Sequence, residues 1–215
     1  MKVLLTCVLL INLMVVAEAQ THSSQLLTST FSKYEAGIHF DVVNPAWSDE
    51  SHEPIVYEFF SYMCPGCNAF EPLMDQLQDQ STNHYKIIKV PVALYPQWEP
   101  HAKAYYTLEM MGELERVHKA FFAAIHQYKK QLRSLDDIAD WLSASFAIDR
   151  KIFLSNAQSF MIDGKMRKGK QMIKAMGINS LPTLVVDGKY KPKFNQLKTR
   201  NDIIDVTQYL LSLDD

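Results

Sequence analysis

Two cysteines, Cys64 and Cys67, bracket a proline and a glycine in the run Cys64-Pro65-Gly66-Cys67. Thiols at this spacing serve as half of a metal site, as a haem anchor, as a structural cross-link or as a redox pair. A structural zinc site needs four ligands. The chain has no second cysteine pair, and none of its seven histidines falls in the spacing that completes such a site. Haem attachment wants histidine directly after the second cysteine, where Asn68 stands. A purely structural disulfide here would close a minimal loop and constrain the unfolded chain least. Redox exchange is the use this spacing serves best, and neither a metal nor another cofactor is expected.

The flanking residues say how such a pair is positioned. Ile55 to Phe60 is a β-branched and aromatic run after Pro54, which predicts a buried strand. From Pro65 to about Ser81, Phe70, Leu73, Met74 and Leu77 recur at helical spacing. The pair therefore lies where a strand ends and a helix begins. The first turn of a helix has unpaired N–H groups and the positive end of its dipole. A Cys64 thiolate is stabilised there, so its pKa is expected well below about 8.5. Pro65 can open the helix, because its missing N–H costs nothing in the first turn. Cys67, one turn further in, faces the same side and is expected to be the more buried, resolving thiol. Stabilising the reduced thiolate makes the disulfide the stronger oxidant.

Compartment matters for such chemistry. Residues 1–19 carry Lys2, an apolar run from Val3 to Val16, and Ala17-Glu18-Ala19, the pattern of a cleaved export signal with cleavage after Ala19. The apolar run is shorter than the roughly 20 residues of a membrane span. Removing it also removes Cys7, leaving Cys64 and Cys67 alone in an oxidising compartment. Residues 20–33 read as a loosely held polar arm. The 215-residue chain has a formal net charge of −2, which argues against an electrostatic nucleic-acid binder. Seven glycines and nine prolines are too few for a low-complexity chain.

The remaining elements complete the frame. His39 to Val43 is a short first strand, and Tyr85 to Val90 another. Pro91, Pro96 and Pro100 mark a linker, and the pattern is helical from about Glu99 to Met176. Within that block, Glu113 to Lys130 is one amphipathic helix, and Ser134 with Asp137 resembles a capping box. Strand signals return at Thr183 to Val186, Asp187-Gly188 is a hairpin turn, and Asn201 to Leu213 is a last helix. A strand–helix–strand unit implies a right-handed crossover and parallel pairing, and the hairpin should add an antiparallel edge. The class is α/β: one sheet domain, residues 34–95 and 166–215, interrupted by an all-helical insertion at 96–165.

The run Glu58-Phe59-Phe60-Ser61-Tyr62-Met63-Cys64-Pro65-Gly66-Cys67, followed by Phe70-Glu71, resembles the DsbA family of periplasmic thiol:disulfide oxidases. So does Gly177-Ile178-Asn179-Ser180-Leu181-Pro182-Thr183, ending in Val186-Asp187-Gly188-Lys189-Tyr190. The resemblance implies a thioredoxin-like fold, with Pro182 cis beside the Cys64 sulfur and Leu181 offering its backbone to a substrate. It places Glu58 as an acid beneath the pair, with Glu71 and Lys89 at matching positions. These could relay protons to Cys67 or tune the thiolate. Against that stands a Glu58 facing solvent at a strand edge and a Lys89 that is merely superficial. The implied activity is donation of the Cys64–Cys67 disulfide to unfolded or newly exported cysteine-containing proteins through a mixed disulfide. A quinone-linked membrane oxidase of the DsbB type would reoxidise it.

Two rivals share the fold: an isomerase or reductase, and a non-catalytic peptide-binding chaperone. Dimeric isomerases carry a separate N-terminal dimerisation domain, and residues 20–33 are too short for one. The sequence departs from the family at Gly66, where histidine is commonest. Without the imidazole the pair should be less oxidising than a Pro-His relative. Leu181 is also bulkier than the usual residue before the proline. Met63 is the best candidate to line a peptide groove; the other methionines suit core filling. Lys165, Arg167, Lys168, Lys170 and Lys174 read as a solvated helix face.

Overall fold

The computed structural model describes residues 33–48, 53–81 and 84–213. The expected export signal 1–19, its cleavage after Ala19 and all but the last residue of the arm 20–33 lie outside the described residues. Five strands form one mixed sheet: β1 (Phe40–Val42), β2 (Ile55–Phe60), β3 (Lys86–Pro91), β4 (Thr183–Val186) and β5 (Tyr190–Pro192). Helix α1 (Pro65–Gln80) links β2 to β3. Between β3 and β4 the chain is helical: α2 (Glu99–Met110), α3 (Leu114–His126), α4 (Leu135–Phe146), α5 (Arg150–Ala157) and α6 (Phe160–Ala175). Helix α7 (Arg200–Leu211) closes the chain. This is a thioredoxin-like sheet with a helical block between its halves; α6 runs unbroken across the expected junction at residues 165–166.

All six residues of β2 are buried, which is why its sequence runs apolar on both faces. The strand alternates. Ile55, Tyr57 and Phe59 pack with Met172 and Met176 of α6 and Val185 of β4. Val56 packs on the other side with Phe70, Leu73 and Leu77 of α1. Period two then puts Glu58 on the α1 side, the side that carries the cysteines. Phe60 and Tyr62, continuing from that strand, insert into the core of the helical block beside Phe121 and Phe122.

The sheet order is β1-β5-β4-β2-β3. Strands β2 and β3 pair in parallel, as a helical crossover requires, with Glu58 opposite Lys89. Asp187 and Gly188 both adopt positive φ, 49° and 65°, at the centre of the turn closed by the Lys189 N–H on the Val186 carbonyl, within the three-residue connection from β4 to β5. The antiparallel pair is not an edge, however. Strand β4 lies inside the sheet against β2, and β1 covers β5. The three residues of β1 carry too little pattern to reveal that pairing.

Helix α3 also differs from expectation, stopping at His126 rather than Lys130. The Lys130 N–H bonds the Ala124 carbonyl at 2.9 Å while Lys129 takes a left-handed φ of 52°. Lysine thus takes a left-handed position where glycine is usual. Ser134 and Asp137 do form a reciprocal capping box, opening α4. Thr199 and Asp202 form another ahead of α7. Met166, Met172 and Met176 are core residues, whereas Met161 is exposed.

Candidate active site

Cys64 is the N-cap of α1, with Pro65 in the first turn. Its backbone is extended (φ −90°, ψ 114°), so the chain turns sharply from β2 into the helix at this residue. The Cys64 sulfur accepts the Cys67 N–H at 3.3 Å. As a thiol it also reaches the Leu181 carbonyl at 3.7 Å. Both thiols are free. A hydrogen bond from the Cys67 thiol, aided by the N–H groups of Cys67 and Gly66, outweighs partial burial and lowers the Cys64 pKa to about 6. The largest stabiliser is thus the partner thiol, ahead of the helix-terminal N–H groups. Cys67 is fully buried, and its thiol is pushed far up by that shared hydrogen bond, by burial and by the Glu58 charge. One sulfur is an accessible thiolate and the other an inaccessible thiol.

The Leu181–Pro182 peptide is cis. It brings the Leu181 carbonyl to Cys64, and a β-carbon added at Gly66 would stand 3.4 Å from the Pro182 ring and 3.7 Å from the Cys64 sulfur. Cys64, Gly66, Leu181 and Pro182 therefore form one surface. Among the described residues no cluster of histidine, cysteine and carboxylate groups could hold a metal ion.

Glu58, Glu71 and Lys89 meet beneath that surface. Glu58 is completely buried. Lys89 Nζ lies 3.0 Å from its Oε2 but off hydrogen-bond geometry, and neither Glu58 oxygen has a hydrogen-bond partner among the described residues. Burial raises the Glu58 pKa to about 7, with Lys89 opposing. Lys89 is held above its ordinary range: burial works against it, but Glu58 and Glu71, the latter at 2.9 Å, prevail. Glu71 is likewise buried, yet hydrogen bonds from His118 and Lys89 hold it below the usual range. A buried acid near neutrality beside a permanently charged ion pair can take up and release a proton at physiological pH.

Two further groups belong to this network and were not singled out from the sequence. His118 Nε2 is 3.2 Å from Glu71 Oε2, and His118 Nδ1 is 2.6 Å from the Tyr62 hydroxyl. Burial lowers the His118 pKa, so the ring is neutral. Nε2 faces both the Glu71 carboxylate and, at 3.3 Å, the Lys89 ammonium, so its donor or acceptor role is set by which of the two it engages. The signal was available. His118 falls on the apolar stripe of α3, between Val117 and Phe121, where a polar residue needs a partner. Met63 lines a recess together with Ile125 and Leu132.

A family profile described as thioredoxin matches residues 48–205. The chain is 31% identical over 179 residues to the thiol:disulfide interchange protein DsbA of Pseudomonas aeruginosa, spanning 83% of this chain and 84% of that relative. It is 37% identical to the Burkholderia cepacia protein of the same name over 136 residues, 63% of this chain and 64% of the relative. The crystal structure of Pseudomonas aeruginosa DsbA superposes with a TM-score of 0.79 at 30% identity, covering 84% of this chain and 94% of that one. Xylella fastidiosa DsbA matches in fold, with a TM-score of 0.77 at 22% identity, covering 84% of this chain and 97% of that one.

Proposed function

Since the chain belongs to the DsbA family of thioredoxin-fold thiol:disulfide oxidoreductases, we propose that it works as a dithiol oxidase, donating its Cys64–Cys67 disulfide to exported polypeptides. Thiol:disulfide interchange is the family activity; the direction and the steps are our reading. A substrate thiolate attacks the Cys64 sulfur, the Cys64–Cys67 bond breaks, and Cys67 leaves. Glu58, with a pKa of about 7, donates the proton that the Cys67 thiolate needs. The second substrate thiolate then attacks the substrate sulfur of the mixed disulfide and expels Cys64 as a thiolate. The substrate loses two electrons and two protons; the enzyme takes up the electrons and one proton, and the other goes to solvent. Lys89, Glu71 and His118 line a cavity of about 660 Å³, through which Glu58 would be reprotonated. Leu181 and Pro182 would hold the substrate backbone against Cys64.

One observation carries the direction: Cys64 has a pKa of about 6, so the reduced form is stabilised and the disulfide is a willing electron acceptor. The reading includes export to the periplasm after cleavage at Ala19 and reoxidation by a quinone-linked membrane oxidase of the DsbB type. It takes residues 34–95 and 166–215 as the sheet domain and 96–165 as the insertion. Among the described residues no helix is long and apolar enough to cross a membrane. Mixing the oxidised protein with one equivalent of a reduced dithiol peptide tests the direction. Thiol trapping should find the peptide disulfide-bonded and Cys64 and Cys67 alkylated. Recovery of reduced peptide and oxidised protein at equilibrium would overturn it.

A further inference from the structure

Directly before Cys64, Met63 lines a recess of about 460 Å³. Its floor is apolar: Met63, Ile125 of α3 and Leu132 of the loop between α3 and α4. Lys129, Lys130 and Arg133, all exposed, line its rim, and no carboxylate does. The rim exists because α3 stops early. The left-handed Lys129 turns the chain across the recess, so consecutive loop residues present their cations to one opening. The nearest acids along the chain are engaged elsewhere: Asp136 pairs with Arg150, and Asp137 accepts from the Ser134 hydroxyl and from the backbone N–H groups of Arg133 and Ser134. His101 also lines the recess. It is 2% exposed, and although the backbone of Leu132, Trp98 and Gln97 faces it, neither ring nitrogen makes a hydrogen bond of good geometry among the described residues. A buried polar group of this kind costs free energy unless something else bonds it.

We propose that this recess is a substrate subsite that takes an apolar side chain flanked by carboxylates, carried by the cysteine-containing polypeptide reacting at Cys64. The occupant's apolar group fills the floor, its carboxylates meet the basic rim, and His101 bonds its backbone. The concavity suits a side chain rather than a flat bilayer. This rests on the oxidase reading, deepening it to a substrate preference.

The test compares two dithiol peptides that differ only downstream of the second cysteine, one ending in leucine and two glutamates, the other in leucine and two lysines. Turnover by the full chain is sustained with glutathione disulfide. Exposed ion pairs are each worth up to about 1 kcal/mol, so the acidic peptide should show a KM about fivefold lower, with equal kcat. The double variant Lys130→Glu/Arg133→Glu should reverse the preference. In the unaltered protein, raising the salt to about 1 M should erase it, which needs no variant to fold. Equal KM values at low salt, or a preference that survives the charge reversal, would overturn the subsite. So would loss of binding to anionic vesicles in the variant with no peptide preference in either protein. If neither peptide is oxidised, the oxidase reading fails. The subsite is then decided by fluorescence anisotropy of the same peptides on the Cys64→Ser/Cys67→Ser protein: tighter binding of the acidic peptide upholds it, equal binding overturns it.

Discussion

Cys64→Ser is expected to lose thiol:disulfide exchange to the background rate, a fall of at least about a thousandfold. A hydroxyl forms no disulfide, and the remaining thiol cannot substitute: Cys67 is fully buried and its pKa is pushed far up. At pH 7 Cys64, with a pKa of about 6, is mostly thiolate and half-exposed. It is the sulfur that meets the substrate. Cys67→Ser should behave differently, forming a mixed disulfide with an activated substrate thiol that no internal thiol resolves. A non-reducing gel would show that adduct with Cys67→Ser and not with Cys64→Ser. A non-catalytic peptide-binding chaperone predicts instead that Cys64→Ser keeps full biological activity.

Glu58→Gln should slow reduction of the enzyme's disulfide by a substrate dithiol about a hundredfold, the lower end of general acid catalysis. The amide keeps the shape of the side chain but cannot donate the proton that the departing Cys67 requires. The wild-type rate, measured by stopped-flow at fixed substrate thiolate concentration, should decline as pH rises through about 7, where Glu58 loses its proton. In Glu58→Gln that decline should vanish. A merely structural role for Glu58 would change the rate without flattening the profile. Lys89 keeps its 2.9 Å contact with Glu71, so the variant leaves one ion pair in place.

Much of this site was legible because it rests on short-range rules. Cys64 and Cys67 occupy a strand-to-helix junction that periodicity alone locates, and first-turn N–H groups lower a thiol pKa in any helix. Glu58 was conspicuous as the one charge in an apolar strand. What surrounds it was not: Lys89 is opposite only because β2 and β3 pair in a particular register, and His118 reaches Glu71 from α3, in the helical block. The interior place of β4 was hidden for a similar reason, since the strand that covers β5 has only three residues. The early end of α3 was masked by Tyr128, which prolongs the apolar pattern past the last helical residue, His126, up to the turn at Lys129. That stop builds the basic rim, so the proposed subsite lay beyond what periodicity could reveal.

The central claim is that a stabilised Cys64 thiolate makes this disulfide an oxidant. An equilibrium titration against glutathione, repeated between about pH 5 and pH 8, tests it most directly. The folded pKa of Cys64 is depressed relative to an unperturbed thiol. The stabilisation of the reduced form is therefore fully present above about pH 8.5 and is lost as pH falls through about 6. The potential should accordingly fall by about 59 mV per pH unit below pH 6, where reduction takes up two protons. Above it, where one suffices, it should fall by only about 30 mV. At neutral pH it should lie above the roughly −220 mV of a glutathione pool. A value near the about −270 mV of a thioredoxin, or a slope that stays at about 59 mV through pH 8, would contradict the account.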